Sequence, residues 1–589
     1  MSAPLTRRSW LRTAAAASLA GLASAQQDTR PNVVLVMTDD QGYGDLTSHG
    51  NPYLRTPNMD GFARQGVEFT RFYVSPVCAP TRASLMTGRY NLRAGVHGVT
   101  HGRETMRSGE VTVAECLRSA GYRTALVGKW HLGEHFPYVP HGRGFHEFFG
   151  FRTGHWTNYF DTPLERNAQA TETRGFITDV LTDEAISFLE RNRSNPFFLY
   201  VAYNAPHSPY QAPQKYYDRF KNTDLSEETK TVYAMVENLD DNFGRLLESL
   251  DRLNLAANTI VIFLTDNGPN GQRFNAGLRG TKGSVYEGGV RVPFFVRWPG
   301  RIPENRKVDR IAAHIDLMPT LLDLCRAPRP EGPPLDGRSL RPLLLGSAEA
   351  ANWPDRMIFT HRDGNQSALY PGAVRTQRFN LVNGRELYEI PNDLGETRNV
   401  ADKYPEKARE LRAAYEAWYD EVARQCGFAR LPIPIGYDEE NPVVLPATQS
   451  YFDGNLKFRH DNGFAHDWIA NWTNPGDSVW WELDVVGAGL YRVSLLYLCP
   501  EPDLGARLTV SAGAAKLEAA VATATSMEPK PNQNRVPVPR YVDMSWATLP
   551  FGELRLPKGR IRLNVRALSK PGSMVMELKE AHLFRVKSL

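Results

Sequence analysis

Cys78-Ala79-Pro80-Thr81-Arg82-Ala83-Ser84-Leu85-Met86-Thr87-Gly88-Arg89 is the stretch on which the fold turns. Proline is accepted in the first turn of a helix, where its missing N–H costs nothing, and Thr81 to Gly88 holds no interior breaker. The run therefore reads as a helix with Cys78 at its N-terminus. Unpaired N–H groups and the positive end of the helix dipole would face the cysteine side chain and favour an anion there. Arg82 lies one turn further on the same side, able to hold an oxyanion by forked hydrogen bonds. Taken alone, a cysteine opening a helix is more often a small buried hydrophobe.

Outward from this helix, the chain to about residue 325 alternates short apolar runs with amphipathic stretches, the pattern of a mainly parallel sheet covered by helices. Strands are expected at Asn32 to Met37, Thr124 to Val127, Phe197 to Ala202 and Thr259 to Leu264. Helices are expected at Val111 to Ala120, Asp179 to Arg191 and about Leu225 to Leu253, the last with Asp224 and Glu227 at capping-box spacing. Polar clusters follow these strands, and in open α/β sheets ligands bind at the carboxyl ends of the strands. Asp39 and Asp40 follow the first, Asp266 and Asn267 the last. Three carboxylates and an amide are hard oxygen ligands, suited to calcium or magnesium rather than zinc. Gly128 to Gly133 sets Lys129 and His131 on one side of an extended chain. His207 follows the Phe197 to Ala202 strand, and Lys282 stands in the glycine-rich passage from Gly277 to Gly300.

Arg326 to Gly346 reads as a wrapping loop. A smaller α+β unit follows, with strands at Met357 to Thr360, Phe379 to Leu381 and Glu386 to Tyr388 and a helix from Glu406 to Arg424. The proline-rich stretch Leu431 to Pro446 reads as a connection. From Thr448 on, strands alternate without a long helix (Val479 to Leu483, Leu490 to Leu498, Arg507 to Ser511, Gly559 to Ala567, Met574 to Leu583), which predicts a β-sandwich. Trp468, Trp472, Trp480, Trp481 and Trp546 could stack sugar rings, with two or three of them expected in the core.

CxPxR with its ASLMTGR continuation resembles the signature of the formylglycine-dependent sulfatases of the alkaline phosphatase superfamily, arylsulfatase-like members included. GKWHLG, TKG, EGGVRVP and LYEIPNDLGETRNVADKYPE are similar to the same family, so the resemblance runs over about residues 30 to 425. It implies an alkaline-phosphatase-like catalytic domain over 27–350 and a C-terminal subdomain over 351–428; beyond a linker over 429–447, the sandwich over 448–589 separately resembles the galactose-binding-like domains found as carbohydrate-binding modules. The sulfatase resemblance also implies that a maturation enzyme oxidises Cys78 to formylglycine (3-oxoalanine), and that Asp39, Asp40, Asp266, Asn267 and the residue derived from Cys78 hold one Ca2+. In that scheme a hydroxyl of the hydrated aldehyde attacks sulfur while Lys129, Lys282 and Arg82 hold the sulfuryl oxygens. His207, aided by Lys282, protonates the leaving alcohol, and His131 deprotonates the second hydroxyl. Ala79 departs from the commoner serine or cysteine.

The expected substrate is a sulfated carbohydrate or an aryl sulfate. His155, Trp156, Asn158, Tyr159 and Asp161, with the loop from His361 through Arg362 to Asp363, are the candidates for the pocket beyond the sulfate. Two alternatives stand beside this reading: a phosphonate or phosphate ester hydrolase of the same superfamily, and an inert carbohydrate-binding protein. A phosphate monoester dianion is usually served by two metals, and no second ligand set is evident.

At 589 residues two or three domains are expected. A net charge of +4 from 69 basic and 65 acidic residues gives no large basic face, so neither nucleic acid nor a membrane surface is indicated as partner. Arg7 and Arg8, the apolar run to Leu22 and Ala23-Ser24-Ala25 read as a signal peptide (1–25) of twin-arginine type, which predicts engagement of export machinery and a periplasmic or secreted protein. That apolar run is too short to span a bilayer. Five scattered cysteines argue against a disulfide framework, with one bridge left open.

Overall fold

The computed structural model describes residues 30–362, 368–460 and 462–588. The expected signal peptide and Asp363 lie outside the described residues. Four parallel strands form the centre of a ten-stranded sheet: β1 (Asn32–Asp39), β2 (Arg123–Lys129), β3 (Phe197–Pro206) and β4 (Thr259–Thr265), in the order β4-β1-β3-β2. Glu147–Phe151 continues the parallel set beyond β2, and Phe294–Arg297 closes on β4 antiparallel. Each of the four strands runs one to four residues beyond the expected apolar run, carrying its polar end into the sheet.

Alternation along β1 explains the layering. Val33, Leu35 and Met37 enter one core, which includes Ala79, Ala83, Leu85 and Met86 of the helix α1 (Cys78–Thr87). Val34 and Val36 enter the opposite core with residues of the helices Ile177–Asn192 and Glu227–Arg252. With both faces covered, β1 is buried throughout, as a central parallel strand must be. The Glu227–Arg252 helix is capped by Ser226, whose side chain accepts the Thr229 N–H, and not by Asp224. The helix after Thr112 does carry the reciprocal Thr112–Glu115 capping box.

The second unit is a four-stranded antiparallel sheet (Ile358–His361, Gly372–Arg375, Phe379–Val382, Glu386–Glu389) packed on the helix Pro405–Cys426. The third is a β-sandwich with its own core. The stretch read as a linker belongs to that sandwich: Ile433–Ile435 pairs with Ser478–Val485, and Val443–Pro446 pairs with Glu577–Ser588. Pro434 is tolerated because its strand lies at a sheet edge. Trp472 and Trp481 are fully buried and Trp468 nearly so, which makes these three core residues rather than a stacking platform. All five cysteines are buried free thiols. Among the described residues no helix is long and apolar enough to cross a membrane.

Candidate active site

The parallel strands deliver their carboxyl ends to one edge, and the chemistry collects there. Asp39 ends β1, Lys129 ends β2, His207 follows β3, and Asp266 follows β4. α1 starts at Cys78 with no side-chain cap, so its first N–H groups face the same point. One ligand atom each from Asp39, Cys78 and Asp266 lies within 4.8 Å of the others, and the same holds for Asp39, Asp40 and His207.

Asp40 is at φ 67°, a left-handed conformation that turns its carboxylate back toward Asp39. Two contacts hold it there. Asp266 Oδ1 accepts the Asp40 N–H at 3.2 Å, and Arg273 Nη2 donates to the Asp40 carbonyl at 2.7 Å. Arg273, itself fixed by Asp45, is a supporting residue that the strand-end pattern did not reveal. Asn267 Nδ2 donates to Asp40 Oδ1 at 2.8 Å, and Lys282 Nζ lies 2.6 Å from the same oxygen. Burial would raise the Asp40 pKa, but Lys282 and His207 overcome it and hold the carboxyl below its ordinary range. Asp266 is pushed up to about 6 by burial and by the Asp39 charge.

Lys129 Nζ pairs with Asp39 Oδ2. Arg82 Nη2 donates to Asp266 Oδ2 at 2.8 Å, and Arg82 Nη1 donates to the Lys129 carbonyl at 3.2 Å. The fork expected to hold an oxyanion is therefore engaged with the carboxylate and the strand end, and Arg82 fixes the ligand set from behind. Cys78 is 3% exposed. Burial pushes its thiol up to about 11, against the pull of Lys129 and Lys282.

The histidines have defined tautomers, because a carbonyl oxygen can only accept. His131 Nε2 faces the Val99 carbonyl at 2.9 Å and donates to it, leaving Nδ1 buried with a free lone pair. Burial and Lys129 keep this ring neutral, well below the ordinary histidine pKa. His131 stands at φ 59°, so the extended geometry expected for Lys129 to His131 is broken by a left-handed turn. Gly154 permits the ring's position: a Cβ there would come within 2.7 Å of His131 Nε2. His207 donates Nδ1–H to the Ser208 carbonyl at 2.5 Å and directs Nε2 toward Asp40 Oδ2 at 3.8 Å. Burial and Lys282 lower its pKa to about 3.

A cavity of about 260 Å³ opens over Cys78, His131, His155, His207 and Lys282. Its far wall is Phe464, Ala465, Arg540 and Tyr541, all from the sandwich. Tyr541 Oη bonds Ser208 Oγ at 2.7 Å and its ring stands edge-on to His155 at 4.8 Å. The sandwich thus closes one side of the chamber that holds the candidate catalytic groups. A larger cavity of about 650 Å³ lies beyond the hydrogen bonds of Thr153 and the His155 carbonyl to His466, and contains none of the candidate catalytic groups.

Of the expected pocket residues, His155 and Arg362 line the cavity, while Trp156 lines the larger one. Tyr159 is fully buried, donating to the His207 and Ser208 carbonyls. Asn158 bonds the Phe160 carbonyl, and Asp161 accepts the Gly175 N–H in a left-handed turn. His361 is buried against Tyr415 and Tyr419 in the second unit. None of these four lines the cavity over Cys78.

The Sulfatase family model matches residues 31–327, half of the chain, and that for N-sulphoglucosamine sulphohydrolase, C-terminal, matches residues 281–419. The chain belongs to the sulfatase family. As a sulfatase it is a sulfuric ester hydrolase. It is 31% identical over 438 residues to N-acetylgalactosamine-6-sulfatase of Canis lupus familiaris, covering 68% of this chain and 81% of that protein. To arylsulfatase A of Homo sapiens it is 33% identical over 463 residues, covering 67% and 88%. Among solved structures, that of Ps i-CgsB in complex with k-i-k-neocarrahexaose superposes with a TM-score of 0.63 at 31% identity, over 68% of this sulfatase and 95% of that chain. The second family match overlaps the Lys282 loop and the antiparallel sheet, which sit together on one side of the site.

Proposed function

We propose that this sulfatase removes sulfate from sulfated carbohydrates outside the cytoplasm, with Cys78 converted to formylglycine and one calcium ion bound beside it. One observation carries the reading of the site. Asp39 Oδ1, Asp40 Oδ2 and Asn267 Oδ1 are all buried without a hydrogen-bond partner. A buried orphan oxygen costs about 1–3 kcal/mol, so three of them in one place fit a hard cation. With Asp266 the donor set is all oxygen, which suits calcium. Bound there, the cation would neutralise charge on the sulfate oxygens, and the formylglycine hydrate would supply the attacking hydroxyl and a second one to release sulfate.

The chain's own residues divide the remaining work. Lys129 and Lys282 stand on either side of the carboxylates and offer ammonium groups to the sulfuryl oxygens as charge shifts onto the leaving atom. His131 presents the bare Nδ1 that a base requires. His207 presents Nε2 to the pocket, and the negative charge of an arriving sulfate ester would raise its proton affinity for delivery to the leaving alcohol. The carbohydrate substrate is supported by relatives named for an aminosugar sulfate ester and by the neighbour solved with a neocarrahexaose. Export is supported by Arg7 and Arg8 ahead of the apolar run to Leu22.

Co-expression with a formylglycine-generating enzyme, followed by peptide mass analysis at residue 78, metal analysis and a panel of sulfated oligosaccharides with a phosphonate monoester as contrast, tests this. An aldehyde at position 78, one calcium per chain and sulfate release are expected. Full activity with an unmodified cysteine would sink the mechanism.

A further inference from the structure

The catalytic cavity is lined by Lys282, Arg362 and Arg540 and, among the described residues, by no carboxylate. Lys282 is paired with Asp40. Arg362 and Arg540 have no acidic partner among the described residues. They come from different units and converge on the same chamber. The Arg362 guanidinium lies over Gly283, so close that a Cβ there would be 3.0 Å from its Cζ, one residue from Lys282. Arg540 rests against the rings of Phe464 and Tyr541, at 5.5 and 5.0 Å, beside the residue that bonds Ser208. His155, which lines the same cavity, is buried with its Nε2 lacking any partner.

A sulfate monoester carries one negative charge, and Lys129, Lys282 and the cation site already answer it. Two further guanidinium groups, held at the rim without an acidic partner among the described residues, exceed what that ester requires. Building on the sulfatase reading above, we infer that the natural substrate bears a second anionic group, a carboxylate or another sulfate, next to the scissile ester, and that Arg362 and Arg540 bind it. Planar donor forks match either group, and neither arginine needs to give up an existing ion pair to do so. His155 Nε2 offers a further polar contact to the sugar between the two charges.

The test compares kcat/KM on three matched oligosaccharides carrying the same scissile sulfate next to a neutral residue, a uronate or a second sulfate, with a small aryl sulfate as the reference. The fully matured wild type should prefer one of the dianionic substrates, and which one names the group. R362Q and R540Q should each lower the ratio of dianionic to neutral kcat/KM about tenfold or more, with Arg540→Lys recovering part of it. Equal ratios in wild type and both variants, or a wild-type preference for the neutral neighbour, would overturn the inference. Sulfate release separates the two readings. Absence of sulfate release from the aryl sulfate and from all three oligosaccharides in the matured wild type defeats the sulfatase mechanism, whereas release with unchanged ratios defeats only the role of the arginines.

Discussion

Asp39 is where a single side chain has most to lose. Its Oδ2 holds Lys129 and its Oδ1 is one of the three orphaned oxygens, so Asp39→Ala removes a cation ligand and frees a buried lysine at once. We expect calcium content and turnover to fall together, by at least roughly a hundredfold in activity, checked by metal analysis and aryl sulfate kinetics. Stoichiometric metal with near-normal turnover would reduce Asp39 to a turn residue. His361 makes a different prediction. Burial lowers its pKa to about 4, so the folded state excludes a proton that the unfolded chain binds near 6.5. The stability this represents is complete above pH 6.5 and is lost as the pH falls toward 4, up to roughly 3 kcal/mol. His361→Gln should flatten the pH dependence of thermal unfolding across that window. His361 and Tyr159 also mark what residue types cannot tell: a polar aromatic looks alike in sequence whether its hydroxyl or ring nitrogen meets a ligand or a carbonyl. Asp39, Asp40, Asp266 and Asn267 could be gathered from the sequence because each follows a strand of one parallel sheet, whose carboxyl ends meet at one edge.

At the level of elements, the sheet is held close by glycine where β2 meets its neighbours. A Cβ on Gly128, at φ 115°, would stand 2.0 Å from the Ala202 carbonyl oxygen of β3. Gly128→Ala should therefore cost roughly 3 kcal/mol or more and push Lys129 off Asp39, so that activity falls further than the loss of folded protein explains. Thermal unfolding beside active-site titration would separate the two; an unchanged melting temperature would refute the close approach. Elements with regular periodicity were readable, β1 and the Glu227–Arg252 helix above all. Two strands with an interior proline were not. Ile433–Ile435 contains Pro434, and Ala547–Leu556 contains Pro550 and Gly552 at a register shift against Gly489–Leu498, so both look like loops until the edge and the bulge are seen. Gly372–Arg375 was missed because Pro371 and Gly372 at its start read as a turn.

For the molecule as a whole, the sandwich is part of the pocket. Tyr541 meets Ser208 and His155, Asn534 Oδ1 accepts from Gln211, and Thr100 bonds the Gly463 carbonyl. Removing residues 448–589 should lower turnover of a small aryl sulfate as well as of a polymer, and would leave Ile433–Ile435 and Val443–Pro446 without partners. A milder probe is Tyr541→Phe against Tyr541→Ala. The first keeps the ring on His155 and should change kcat a few-fold, through a single lost hydrogen bond of about 1 kcal/mol, while the second opens the wall and should cost more. Equal, negligible effects would make the sandwich an appendage. Which residues make this wall was not legible, since Phe464, Arg540 and Tyr541 sit in irregular loops with no pattern that points toward residues 200 to 400 positions away.

This arrangement has a consequence in time. The groups at the strand ends are all synthesised by Lys282, but the residues that roof them over, ending with Tyr541, emerge later by a stretch that takes on the order of half a minute to translate. A chain that folds as it emerges would hold these groups uncovered for that interval. Any enzyme that must reach the Cys78 side chain has its widest opening then, and a chain that finishes unmodified has closed the door on itself.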